Sequence, residues 1–454
     1  MDRRDVLSLS GALAAAVLAG CTGDGDGRST PGTSSPTETP VDSPTETPTS
    51  TATDEPPSGE PSVDDERLAE LAVGNAGFAL ELHRHLAAGD GGNQFLSPYS
   101  ISVALAMPFA GARGETREQM RETLRYTLGE DVHPALADLQ AELDSRATTT
   151  DPTDGDDVDA FQLAVVNALW GREDYPFSED YLALLEDHYG AGLEAADFAG
   201  DPEGERQRIN QWVADATEDR IDDLLPPNAI TPQTVLVLTN AIYFMASWYQ
   251  EFDPEDTADG TFTALDGTES TVPMMHQNLR TAYASVPGAE AVELPYVGGD
   301  VSMVLLLPDE GRFEAFEQNL DADRLFGIFE ELGDAAGDLA LPTFEFETEV
   351  QLSDALAEMG MPVPFESGAD FSGMVRGDGG PWIDEVYHDS FVSVDEEGTE
   401  AAASTAVVMT ESMPPQWGEL RFDRPFLFCI RDRPTDAVLF LGRVVDAGAA
   451  QGDD

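Results

Sequence analysis

Histidine and cysteine, the side chains most often recruited for nucleophilic, acid–base or metal chemistry, occur six times and twice in this chain. His83 and His85 lie two residues apart in a stretch of helical periodicity. They point to different faces, make no metal pair, and read as solvated helix residues. His-Glu-x-x-His and Cys-x-x-Cys are absent, as are a Gly-x-Ser-x-Gly turn and a phosphate-binding Gly-rich loop. Ser, His and Asp can be paired at will in so acidic a chain, but no pair has motif context. The chain therefore reads as a non-enzyme, with no metal and no cofactor; a surface hydrolase without a known motif is kept as an alternative.

The informative stretch is Gly398-Thr399-Glu400-Ala401-Ala402-Ala403-Ser404-Thr405-Ala406-Val407-Val408. Exposed loops usually carry Gly, Pro, Asn and Asp, and none follows Gly398 here. From Thr399 onward the segment could enter the middle of a sheet with no missing donor and no bulky clash, Glu400 being its one charge. Asp395-Glu396-Glu397 precede it and Pro414-Pro415, which stop strand pairing, follow it. A loop built like a spare strand implies a moving part.

Acidic residues number 88 against 23 basic ones, for a net charge of −65, and every basic residue is Arg. With 41% hydrophobic residues the chain can still bury a large core, so the charge sits on the surface of a folded body. Such a surface repels itself in dilute salt. At about 1 M salt the screening length falls to about 3 Å, which points to a halophile. No basic patch exists to hold nucleic acid or a polyanionic cofactor.

The N-terminus reads as an export signal. Arg3-Arg4 precede an apolar run from Val6 to Leu18, a twin-arginine arrangement too short to span a membrane. Leu18-Ala19-Gly20-Cys21 resembles a lipobox, which makes Cys21 a lipidation site at the end of a signal over 1–21. Residues 22–62 are a Thr/Pro/Ser-rich tether with Ser-Pro-Thr-Glu-Thr-Pro repeats. A single folded domain is expected over 63–447, with a short tail at 448–454. Cys429, in the apolar run Phe426 to Ile430, reads as a buried thiol.

Within the body, Leu68, Leu71, Ala72, Phe78, Ala79, Leu82 and Leu86 share one helical face. Val103 to Phe109 predicts a second amphipathic helix, and Ile209, Trp212 and Val213 a third. Strands are signalled at 164–166, 235–238, 301–307 and 437–441. Helices dominate the first half and strands the second, so the fold class is α+β.

Several ordered blocks are similar to the serpin family over about 66–447. They are Asn93-Gln94-Phe95-Leu96-Ser97-Pro98-Tyr99-Ser100-Ile101-Ser102, Gly111 to Thr116, Asn240-Ala241-Ile242-Tyr243-Phe244 with Trp248, and Phe252-Asp253-Pro254. Val272-Pro273-Met274-Met275, Leu306 to Glu310, Leu341-Pro342, Leu352, Phe371-Ser372-Gly373-Met374, His388, Pro425 to Phe428 and Phe440 to Val444 complete the order. The resemblance implies a serpin-like fold with three β-sheets, roughly nine helices and an exposed reactive-centre loop. It implies a suicide inhibitor of serine proteases: the protease acylates itself on the loop, and the cut loop enters the main sheet before hydrolysis finishes. Strand addition and release of stored strain in this family are established examples of both effects.

By position in the family, Glu396, Glu397 and Gly398 form the base of the hinge, and Thr399, Glu400, Ala401, Ala402, Ala403 and Ser404 insert. Ser97, Ser100, Asn240 and His388 match the polar cluster where the sheet must part, and Trp248 the point of first insertion. Thr343 departs from the family: many relatives carry a Lys there that pairs with the acid matching Glu396. That bridge is expected to be missing. The family's loop length puts the scissile bond at Ser412-Met413; the proline spacing suggests Glu411-Ser412, and side-chain chemistry Met409-Thr410. No Arg or Lys lies between Gly398 and Trp417, so the expected partner is a subtilisin- or chymotrypsin-like serine protease and not a trypsin-like one. The chain is expected to be a monomer at the cell surface, touching the membrane only through its lipid. A serpin-fold binding protein that traps nothing is the other alternative.

Overall fold

Apolar periodicity of 3.6 in the first half of the body and of 2 in the second produces helices first and strands later. The computed structural model describes residues 63–89, 91–150, 157–190, 193–217, 219–221, 223–377, 380–399 and 415–451. The chain divides into two units, Met1–Gly59 and Glu60–Asp454, and the described residues all belong to the second. Cys21 and the loop residues Glu400, Ala401, Ala402, Ala403, Ser404, Met409, Glu411, Ser412 and Met413 lie outside the described residues. Nine α-helices and three sheets are found among those described, an α+β arrangement. No helix among them is long and apolar enough to cross a membrane.

A nine-stranded sheet runs in the order Gln94–Leu96, Ala437–Val444, Phe426–Asp432, Val301–Pro308, Ala289–Pro295, Glu269–Val286, Gly333–Pro342 and Gln416–Arg421, with Ala258–Thr263 paired to Glu269–Val286. A six-stranded sheet runs in the order Phe344–Gln351, Val386–Val394, Gly398–Thr399, Leu236–Ser247, Gln162–Arg172 and Leu193–Ala196. A two-stranded ribbon, Thr148–Thr150 with Asp157–Asp159, is the third. Leu236, Leu238, Ile242, Phe244 and Ala246 reach the main core, while Val237 and Ala241 fill smaller clusters with Trp170, Ile209 and Val213. A strand buried on both faces reads as a continuous apolar run, which is why the run at 235–238 signals a strand; it continues to Ser247.

The helix Pro98–Gly111 corrects the sequence reading. It is not amphipathic: every residue but Val103 is buried. It packs against Ala437–Val444 of the larger sheet and against Gln162–Arg172 and Leu236–Ser247 of the smaller one, so no face is left for water. Its start is fixed by Ser97, whose Oγ accepts from the Ser100 N–H at 3.1 Å, with Pro98 in the first turn.

His83 is a second correction. It is 1% exposed rather than solvated, because Val63–Gly89 packs into two clusters and buries more than one face. Burial lowers its pKa. A carboxylate only accepts, so the Nε2–H donates to Glu317 Oε1 at 2.9 Å, and Arg443 donates to the same oxygen at 3.1 Å. His85 is half-exposed beside Glu358 at 3.2 Å. Cys429 is a buried free thiol, its pKa pushed up to about 12 by burial. Beyond 447 the chain still packs: Ala450 is buried, and the Gln451 amide donates to Thr343 and Ala447 carbonyls.

Glu317→Ala removes the carboxylate from a buried Arg443 and is expected to cost about 3–5 kcal/mol. Thermal unfolding in molar KCl checks this; an unchanged midpoint contradicts it.

Candidate functional site

The site is a splay between two strands of the six-stranded sheet. Val386–Val394 and Leu236–Ser247 run parallel and pair from Val386↔Leu238 to Ser390↔Ile242. Above Ser390 the direct pairing stops. Four residues further on, Gly398–Thr399 lies between them, antiparallel to both, with Thr399 opposite Val394 and Ala246 and Gly398 opposite Ser247. Neighbouring strands stand about 4.8 Å apart. The two walls therefore separate from about one strand spacing at Ser390 to about two at Val394.

A tight corner delivers Gly398–Thr399 into the mouth. Asp395 Oδ1 accepts the Glu397 and Gly398 N–H groups at 2.9 and 3.1 Å, and the Asp395 N–H donates to the Gly398 carbonyl at 3.0 Å. The Glu396 and Glu397 carbonyls accept from the N–H groups of Phe252 and Trp248, each at 2.9 Å. Trp248 Nε1 donates to the Asp395 carbonyl at 3.0 Å, and the indole stacks on Tyr296 with centroids 4.7 Å apart. Thr399 is buried, and its hydroxyl meets the Tyr296 hydroxyl at 2.8 Å. Trp248 thus forms the ceiling of the mouth. Thr343 bonds Gln451 and the Pro273 carbonyl, while Glu396 accepts from the Thr257 hydroxyl at 2.5 Å. A neutral hydroxyl therefore meets the carboxylate at the corner.

A buried polar row lies at the closed end. Asn167, Asn240 and His388 are register partners across three strands. The Asn240 amide donates to Ser100 Oγ at 2.6 Å and to Asn167 Oδ1, and the Asn167 amide donates to the Ser100 carbonyl at 3.1 Å. His388 Nε2 accepts the Ser97 N–H at 3.3 Å, so Nδ1 carries the proton and donates to Asn240 Oδ1. Ser97 Oγ donates to the Leu439 carbonyl at 2.8 Å, tying the row to the larger sheet. Both His388 nitrogens are engaged, which leaves none for a metal. Burial drives its pKa down to about 3, so the ring is neutral at physiological pH.

Ser97, Ser100, Asn240 and His388 are thus brought together, and Trp248 stands apart, eight residues up the chain from Asn240, or about 26 Å at strand rise. Asn167, Tyr296 and Thr257 were not singled out from the sequence. A signal existed only for Asn167, a lone amide inside the apolar run Leu163 to Trp170 that must find partners when buried.

The family model for serpins (serine protease inhibitors) matches residues 73–447. An uncharacterized serpin-like protein of Thermococcus kodakarensis is 39% identical over 373 residues, 81% of this chain and 84% of that protein. Leukocyte elastase inhibitor A of Mus musculus is 38% identical over 388 residues, 83% of this chain and 99% of that protein. Among solved structures, the thermophilic serpin tengpin in its native state matches with a TM-score of 0.73 and 29% identity, covering 86% of this chain and 96% of that one. Uncleaved ovalbumin matches with a TM-score of 0.72 and 28% identity, covering 83% and 99%.

His388 has a folded pKa below its unfolded value of about 6.5, so the unfolded chain takes the proton first. The stability of the neutral buried ring is complete above that value and is lost as pH falls toward about 3. Between pH 7.5 and 5 the protein should lose about 2 kcal/mol more stability than the His388→Gln variant. Denaturant titrations at the two pH values measure it, and parallel losses would remove His388 as the cause.

Proposed function

The chain belongs to the serpin family, and on that premise we propose that it inhibits a serine protease by suicide cleavage, acyl-enzyme trapping and insertion of the cut loop into the six-stranded sheet. The register of Thr399 carries this reading. Thr399 is opposite Ala246 on one wall and Val394 on the other. Continued without a slip, Ala401 falls between Phe244 and Val392, Ala403 between Ile242 and Ser390, Thr405 between Asn240 and His388, and Val407 between Leu238 and Val386. The last three pairs are the ones now bonded directly to each other. The short parallel ladder thus occupies places that an inserted strand fits in register on both sides.

Side-chain alternation supports the same reading. Thr399 shares the core face with Ala246, so Ala401, Ala403, Thr405, Val407 and Met409 follow it inward. Small residues meet the close-packed interior at little steric cost. The first polar one after the mouth, Thr405, reaches the Asn240–His388 bond, where a hydroxyl can both donate and accept in its place. Insertion exchanges one parallel ladder for two antiparallel ones, the better paired arrangement per residue. Acylation by the protease sets the clock: trapping requires insertion before deacylation.

Register also bears on the cut. Residues 398–409 match the twelve positions of Leu236–Ser247. A cut at Met409-Thr410 puts the acylated residue itself at the last sheet position, with no slack to clear the body. A cut at Ser412-Met413 leaves three residues beyond the sheet to hold the protease, and we favour it over Glu411-Ser412, which leaves two. The absence of Arg and Lys from 399–416 favours a subtilisin- or chymotrypsin-like target. Export through Arg3-Arg4, lipidation at Cys21, the tether over 22–62 and monomeric action at the surface of a salt-loving cell complete the reading. The protein turns over no substrate of its own.

Ala401→Arg should convert the inhibitor into a substrate, and Thr399→Arg should do the same. Incubation with a subtilisin-like protease in molar salt and denaturing electrophoresis checks both; a denaturant-resistant complex with either variant contradicts the insertion argument. In the wild type, the mass of the released C-terminal fragment should correspond to a start at Met413. Loop cleavage should also raise the unfolding midpoint, whereas an unchanged midpoint favours a binding protein that never inserts.

A further inference from the structure

On the face of the six-stranded sheet opposite the main core, three carboxylates converge. Glu347 and Glu349 project from Phe344–Gln351, and Asp389 lies opposite Glu349 on Val386–Val394. Oxygens of all three lie within 4.8 Å of one another. In a chain this acidic, exposed clusters are expected and mean nothing alone. This cluster differs in one member: Asp389 is 3% exposed, and its Oδ1 is shut off from solvent with no hydrogen-bond donor. A buried carboxylate oxygen without a donor is costly, and two more negative groups beside it raise the cost.

The geometry points to a site for a hard divalent cation of calcium size, held by Asp389, Glu347 and Glu349. Calcium binds oxygens at 2.3–2.6 Å, so two of its ligands can stand up to about 5 Å apart, whereas magnesium, at 2.0–2.1 Å, allows only about 4.2 Å. The three oxygens, all within 4.8 Å of one another, lie inside calcium's reach. Glu347 and Glu349 are exposed, which gives the ion a path from solvent. The ion ties the edge strand to the wall of the splay, on the half of the sheet that must move as one piece when the gap widens. This site stands independently of the inhibitory reading.

Calorimetric titration of the uncleaved full chain with CaCl2, in molar KCl at neutral pH, tests it. One saturable site is expected, weakened about tenfold or more in Glu349→Gln and in Glu347→Gln and lost in Asp389→Asn. Calcium should raise the unfolding midpoint of the wild type and leave Asp389→Asn unmoved. The two Glu variants are exposed changes and keep the test valid if Asp389→Asn folds poorly. No saturable binding, or binding that the Glu variants do not weaken, overturns the site. So does a calcium-insensitive wild type that Asp389→Asn stabilises, which assigns the cluster to a shared proton only.

Discussion

Two strands cannot be direct neighbours and also hold a third between them. Val386–Val394 and Leu236–Ser247 do the first as far as Ser390↔Ile242 and the second at Val394 and Ala246. The change from one spacing to two happens within four residues, and backbone groups on both walls of that interval face a place where a ladder could continue. Edge groups of this kind are a template for an added strand. The corner at Asp395 and the Trp248–Tyr296 stack hold the first two residues of such a strand in register at the mouth.

Opposing this is the polar row at the closed end. Asn167, Asn240 and His388 satisfy one another under Ser97 and Ser100, so the walls are held by side-chain bonds as well as by the ladder. A fully bonded buried network is expensive to open partway and cheap to exchange for an equally bonded one. That property suits a gate with two stable arrangements. It also makes the neutrality of His388 a structural requirement, since a second ring proton would leave Nε2 facing the Ser97 N–H donor to donor.

Charge is distributed to match. Most of the 88 acidic side chains leave the core to apolar residues, and three buried arginine pairs enter it: Arg443 with Glu317, Arg431 with Glu293, Arg146 with Asp432. At the molar salt we infer for this protein, exposed pairs such as Arg121 with Glu118 contribute little. Buried pairs are screened far less.

The α+β class and a strand at 235–238 were legible in local patterns, whereas Ser97, Ser100, Asn240 and His388 were placed by the family resemblance alone. The environment of His83 was not legible, because its partners are 234 and 360 residues away in sequence, at Glu317 and Arg443. The burial of Pro98–Gly111 on all faces was missed for the same reason, since the strands that cover it come from distant parts of the chain. Tyr296 and Thr257 carry no local sign of their roles; only the fold brings them to Thr399 and Glu396. The account itself is tested most directly by amide hydrogen exchange on the intact and loop-cleaved protein. It predicts that amides of 243–246 and 391–394 exchange more slowly after cleavage, as a new strand pairs with both walls. Unchanged exchange in both segments would show that the gap stays unfilled and contradict the account.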